Sequence, residues 1–301
     1  MKIKPGINDV LWMATGAVAL LACILVVWHF HSDATPAAQL AFKARRADLV
    51  GRMQLDLVSA SEAEKSAVLA ITDQDSQAFA DQARADSEKV EQARRELDEL
   101  LATGGTPSEK DLLAQFTTAF AEFQRIDKEL LALAVKNTNL KAYSLAFGPA
   151  AIALKEMDAA LARFTTDDAQ VMRFADNARI AAWRLLALLP PHIAEEDEKK
   201  EDEIEVAIAT EDAQVRKNLE ALAKFSNDST LATARYAEFS KLKTQIIALS
   251  RENTNVRSLS ISLHQKRKVM WVCQDALSAL QQAILAEPIA GITYGTPVNP
   301  R

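Results

Sequence analysis

One stretch of this chain is written twice. Residues 131–142 read LALAVKNTNLKA, and 116 positions later residues 247–258 read IALSRENTNVRS. Aligned without gaps, 120–147 and 236–263 share nine identities in 28 positions, and several other pairs exchange Ile for Leu, Arg for Lys or Phe for Tyr. Upstream, RRELDEL at 94–100 pairs with RKNLEAL at 216–222, at an offset of 122. A chain that repeats so long a unit is expected to fold as two copies of one substructure. The copies are predicted at 37–164 and 167–286. Each has a long first arm, a turn, and a second arm that pauses at Asn-Thr-Asn.

The arms read as helices. Phe116, Phe120, Phe123, Ile126, Leu130 and Leu133 recur in steps of 4, 3, 3, 4 and 3, one face of a helix packed on a partner. Tyr236, Phe239, Leu242, Ile246 and Leu249 repeat the same spacing, and Met270, Cys273, Leu277, Leu280 and Ile284 come in steps of 3, 4, 3 and 4. No stretch alternates with period two, and glycine (8) and proline (9) are scarce, so no sheet is expected. The fold class is all-α: an elongated antiparallel helical bundle of two tandem repeats.

Breaks are expected in few places. TGGTP at 103–107 combines glycines, which can take left-handed conformations, with a proline that suits a helix start. TTDD at 165–168 offers N-cap chemistry, and SNDS at 226–229 is the second-copy counterpart of TGGTP. LLPP at 188–191 is predicted to break or kink a helix, and GP at 148–149 to kink another. Asn137, Thr138, Asn139 and their counterparts Asn253, Thr254, Asn255 read as helix-to-helix joints. Asn and Thr accept from the free N–H groups of the next helical turn, and Asn tolerates the left-handed region that ends the preceding one. A ligand-contact role is the competing reading of both motifs.

Residues 10–28, VLWMATGAVALLACILVVW, carry no charge. As a helix they would span about 28 Å, close to the hydrocarbon thickness of a bilayer. Trp12 and Trp28 stand near the two ends, and Lys2 and Lys4 precede the segment. The reading is a single-pass anchor in the inner membrane, with residues 1–9 cytoplasmic and the helices in the periplasm or outside the cell. A cleaved signal peptide, or a lipoprotein site at LLAC, 20–23, is the alternative. EPIAGITYGTPVNPR at 287–301 reads as a loose tail. A net charge of −6 argues against a nucleic-acid partner.

No phosphate-binding loop, nucleophile elbow or zinc-binding spacing occurs, so no enzyme activity, catalytic residue or cofactor is expected. His192 and Glu196, at i and i+4 in PHIAEEDEKKEDE, could share a cation; the competing reading is a solvated acidic helix start. Lys266, Arg267 and Lys268 form a basic run that is hydrated, paired with the acidic run, or open to an anion. Cys273 lies on an apolar stripe and reads as a small core residue, although with His264 it could hint at haem or redox chemistry.

Phe120, Glu122, Phe123, Leu130, Leu133, Asn137–Asn139 and Gly148–Pro149 resemble the extracytoplasmic sensor domain of methyl-accepting chemotaxis proteins. The likeness is to the four-helix-bundle type and its longer helical bimodular relative. Tyr236, Glu238, Phe239, Ile246, Leu249 and Asn253–Asn255 carry it in the second copy. The resemblance implies a helical bundle, often dimeric, that binds small molecules such as amino acids or carboxylates. A carboxylate ligand would need arginine in a bundle groove, and Arg179 and Arg184 are the nearest candidates. The last helix leads into the Pro/Gly tail where the family would re-enter the membrane. The expectation is therefore a sensor or accessory protein that binds an organic acid or amino acid, or acts with a protein partner or as a homodimer. A structural subunit of a cell-envelope complex with no small ligand is the alternative.

Overall fold

The structure is a computed structural model that describes residues 35–163, 168–225 and 229–289. The apolar segment 10–28, Thr165–Asp167, most of SNDS and the end of the tail lie outside the described residues. Among the described residues no helix is long and apolar enough to cross a membrane. Among them also no strand occurs, so the chain is all-α as its periodicity predicts.

The helices are α1 (Pro36–Leu69), α2 (Asp73–Gly104), α3 (Pro107–Ala134) and α4 (Thr138–Leu145). They continue as α5 (Ala151–Leu161), α6 (Ala169–Ala194), α7 (Glu198–Ala223), α8 (Ser229–Glu252), α9 (Thr254–Ser260) and α10 (Arg267–Ala286). A π-helical turn, Ala146–Ala150, joins α4 to α5, and another, Ile261–Lys266, joins α9 to α10. Pro149 sits inside the first turn, where the sequence suggested a kink. The second turn contains no proline, so the device belongs to the repeat and not to the proline.

The described residues fall into two compact units. One comprises 35–54, 91–115 and 275–289. Its core is Leu49, Val50, Met53, Leu97, Leu101, Leu277, Leu280 and Ile284. Thr106 and Glu109 close a capping box at the start of α3: the Glu109 amide donates to Thr106 Oγ1 at 3.2 Å, and the Thr106 amide to Glu109 Oε2 at 2.8 Å. Glu109 also receives both contacts of the buried Arg46 Nη1, at 2.7 and 2.8 Å, while Arg46 Nη2 pairs with Glu287. Glu287 and the buried Ile289 therefore do not behave as a loose tail: a buried guanidinium needs both carboxylates. Neither glycine of TGGTP is left-handed. Gly105 is needed for closeness, since a Cβ there would meet Leu101 Cδ2 at 2.7 Å.

The second unit, 55–90 and 116–274, holds two cores. In one, Ala63, Ala67, Val68, Ala80, Ala83, Ile126, Leu130 and Leu131 pack with Ile261 and Val269. In the other, α4, α5, α6, α7 and α8 close around Leu154, Leu185, Leu189, Leu219, Phe239 and Ile246. The chain lays down α1, α2 and α3, passes through Asn137, builds the whole second bundle, and returns through Asn253 to complete the first. The boundary between the sequence copies, near 165, thus falls inside the second bundle, between α5 and α6. The repeat and the packed bundles are out of phase because each joint moves the chain from one core to the other.

Two further expectations change. α6 runs through Pro190 and Pro191 and ends at Ala194. The donors lost there are tolerated because the end is clamped. The carbonyls of His192 and Ile193 accept from Ser250 Oγ at 3.0 Å and Asn139 Nδ2 at 2.6 Å. Because α6 ends at Ala194, His192 and Glu196 do not share a helix face.

Candidate functional site

Among the polar constructions that interrupt these cores, two bear on a candidate site. The first is the joint. Asn137 and Asn253 are left-handed, with φ of 52° and 50°, a conformation costly for most L-residues and mildest for Asn. Neither caps its own helix with its side chain. The caps are exchanged instead. The Thr138 amide donates to Thr254 Oγ1 and the Thr254 amide to Thr138 Oγ1, both at 3.2 Å. The Asn139 amide donates to Asn255 Oδ1 at 3.2 Å, and the Asn255 amide to Asn139 Oδ1 at 3.1 Å. Asn139 Nδ2 reaches Asn253 Oδ1 at 2.7 Å, and Asn255 Nδ2 reaches Asn137 Oδ1 at 3.0 Å. Each copy thus satisfies the orphan donors of the other, and at the one exposed equivalent pair Lys136 faces Glu252 at 3.5 Å. The side-chain amides of Asn137, Asn139 and Asn253 also reach Asp73 Oδ1, the Ile193 carbonyl and the Glu195 carbonyl, at 3.1, 2.6 and 2.6 Å, so the protein itself occupies the donors of the joint.

The second construction is a groove of about 390 Å³ between α1 and the α9–α10 arm. Its mouth is apolar: Val58, Leu69, Leu259, Leu263 and Trp271, the last 61 % exposed. Its floor is charged. Lys266, 1 % exposed, pairs with Asp127 and lies 3.6 Å from the centre of the Phe123 ring. Glu64 is fully buried beside them, and neither of its carboxylate oxygens has a hydrogen-bond partner. The π-helical turn puts Ser262 and Lys266 on the inner face; such turns insert one residue and re-aim the side chains beyond it. At the equivalent positions of the first copy stand Ala146 and Ala150, so the charged floor belongs to one bundle only.

Burial raises the Glu64 carboxyl above its ordinary value, and the nearby Lys266 ammonium and Ser262 hydroxyl only partly offset this. Burial lowers Lys266 in turn, against the pull of Asp127. It pushes the buried Cys273 thiol up to about 12, which makes Cys273 an inert core residue. Lys266 is therefore no part of a hydrated basic run.

The residues singled out from sequence lie elsewhere. Arg179 pairs with Asp158 at 2.6 Å and Asp176 at 3.4 Å, and Arg184 is 68 % exposed with Glu211 at 4.0 Å. They share an open depression with Ile180 and Trp183, and Arg179 is already occupied by its carboxylates. His192 is buried, with Nδ1 on Ser250 Oγ at 2.7 Å and Nε2 on Glu205 at 3.0 Å, whereas Glu196 is exposed in the link after α6. Among the described residues no cluster of His, Cys, Asp and Glu could hold a metal ion. Glu64 and Lys266 had one legible signal. Glu64 continues the Ala60–Ala67 stripe, and Lys266 stands four residues before Met270, one helical turn along the same apolar face.

Residues 55–172 match the family described as the four helix bundle sensory module for signal transduction. No curated protein matches the chain. Among solved structures the chain is similar to the sensor domain of the V. parahaemolyticus histidine kinase TorS. The TM-score is 0.52 at 11 % identity, over 82 % of this chain and 97 % of that one. At that identity the likeness is one of fold. The Phe120–Phe123 stripe, the Asn137 joint and the Glu64 side of the groove all lie within the matched span. Over residues 55–172 the chain is thus similar to the four-helix-bundle sensory modules of signal transduction.

Proposed function

We propose that this chain is a membrane-anchored, extracytoplasmic sensory protein, non-enzymatic, that binds a small molecule in the groove between α1 and the α9–α10 arm. The carrying observation is Glu64: a buried carboxylate without a partner, on the wall of a concave, mostly apolar space, inside the segment that matches the sensory module. A fold does not leave such a group unpaired for stability, because desolvating it is costly. A ligand that supplies the missing partner would bind one arrangement of the groove helices better than another, which is what a sensor requires. The uncharged segment 10–28 supports the membrane anchor.

Isothermal titration of the 301-residue chain in detergent, against amino acids, organic acids and amines, tests this reading. Saturable heat with at least one class is expected; silence across the panel would sink it. A second reading is favoured by the exposed Leu263, Trp271 and Val272, which suit a protein partner in an envelope complex. A stoichiometric partner recovered from solubilised membranes, without ligand dependence, would favour that reading.

A further inference from the structure

The chemistry of the groove narrows the ligand, on the premise that the groove is a sensory site. We infer that it takes a small apolar molecule carrying a protonated amine, whose ammonium donates to Glu64.

The partners on the floor are unequal in number: two carboxylates, Glu64 and Asp127, face a single ammonium, Lys266. That ammonium is committed to Asp127 and to the face of Phe123. Glu64 makes no hydrogen bond of ordinary geometry, with the Ser262 hydroxyl and the Lys266 ammonium as its nearest donors. The Ser262 hydroxyl on the groove wall brings no charge. An ammonium carries three donors and the charge that a buried carboxylate lacks, so it answers both deficits at once. A carboxylate ligand would meet Glu64 head-on and would have to displace Asp127 to reach Lys266. An alcohol supplies one donor and no charge. The rest of the ligand meets Val58, Val68, Leu259, Leu263 and Met270, which favour a branched hydrocarbon body. Trp271 at the mouth offers a ring to cover it. The cationic rim residues do not change the sign of the floor: Lys65 is held by Glu62 at 2.8 Å, and Arg267 is exposed. The volume, about 390 Å³, lies in the range of small-ligand pockets.

A matched series isolates the headgroup: isopentylamine, isopentanol and isovalerate share one hydrocarbon body. Titrated into the full chain, the amine is expected to bind about tenfold or more tightly than either of the others. Glu64→Gln should weaken the amine by about tenfold or more, while Glu62→Gln, at the exposed rim, should leave it within about twofold. A thermal melt of the Glu64→Gln chain separates lost affinity from lost folding, since this variant should melt no lower than the parent. Equal or tighter binding of isovalerate or isopentanol overturns the inference, as does an unchanged amine affinity in Glu64→Gln. Failure of the amine, with saturable heat from another compound of the wider panel, overturns the inference and leaves the sensory reading standing. Silence from every compound removes both.

Discussion

The two cores of the second unit carry related polar clusters, one partly exposed at Asp212 and one buried at Glu64, and treat them differently. In the second bundle, Asp212 receives Lys243 Nζ at 2.7 Å, Arg216 Nε at 2.8 Å and the Tyr236 hydroxyl at 2.5 Å. In the first bundle, Lys266 serves Asp127 and leaves Glu64 unpaired. The sites are related by the repeat, because Lys243 stands where Asp127 stands in the first copy. Even the aromatic stack is shared: Phe120 and Phe123 lie 5.7 Å apart, Tyr236 and Phe239 5.8 Å. The exchange of Phe120 for Tyr236 adds the hydroxyl that completes the Asp212 cluster. A satisfied cluster stabilises its own bundle, whereas an unsatisfied one marks where an outside group would be stabilised.

Removing each central cation would test that contrast most severely. Lys266→Met should cost about 3–5 kcal/mol in urea unfolding, because it strands the buried Asp127 and takes the neighbouring positive charge from Glu64. Lys243→Met should cost only about 1–2 kcal/mol, since Asp212 keeps Arg216 and Tyr236. Equal losses would erase the distinction between the clusters.

Acid unfolding gives a second, smaller comparison. Burial opposes ionisation of Asp212, but its hydrogen bonds from Arg216, Lys243 and Tyr236 outweigh this and hold its carboxyl at about 2. A lowered acid contributes stability above its unfolded value, and loses it as pH falls towards the folded value. Asp212 should therefore contribute about 2 kcal/mol at pH 7, lost between about pH 4 and pH 2. Asp212→Asn should remove that amount at neutral pH and flatten that part of the stability curve.

Glu64 has the opposite sign, and the smallest effect. Its carboxyl is raised by burial, against Lys266, Ser262 and Lys65 and with the help of Asp127. A raised acid costs stability, beginning as pH rises through the unfolded value and complete above the folded one. Glu64→Gln should therefore raise stability at pH 7 by about 1 kcal/mol, with little change at pH 4. A loss of stability in that variant would show that Glu64 has a partner after all, and the contrast with Asp212 would fail.

The helices, their faces and the pairing of 120–147 with 236–263 were legible along the chain, because all depend on neighbours within one or two turns. So was the choice of Asn at the joints, since the left-handed backbone is a local demand. The exchange of caps between Thr138 and Thr254 was not, because its partners are 116 residues apart. The proline reading failed at Pro190 for a similar reason: what holds the end of α6 comes from Asn139 and Ser250, on other helices. Glu64 was hidden in SEAEKS and Lys266 in a basic run, where charge suggests solvent.

The sequence by itself determined an all-helical chain, its internal repeat and the positions of its joints. Tertiary structure decided which core each half of a copy enters, and so which charges meet. Helix propensity and periodicity act over about 4 residues, and repetition shows itself by identity. Whether a buried carboxylate is paired depends on which side chains other helices bring within about 3 Å, and no local pattern encodes that.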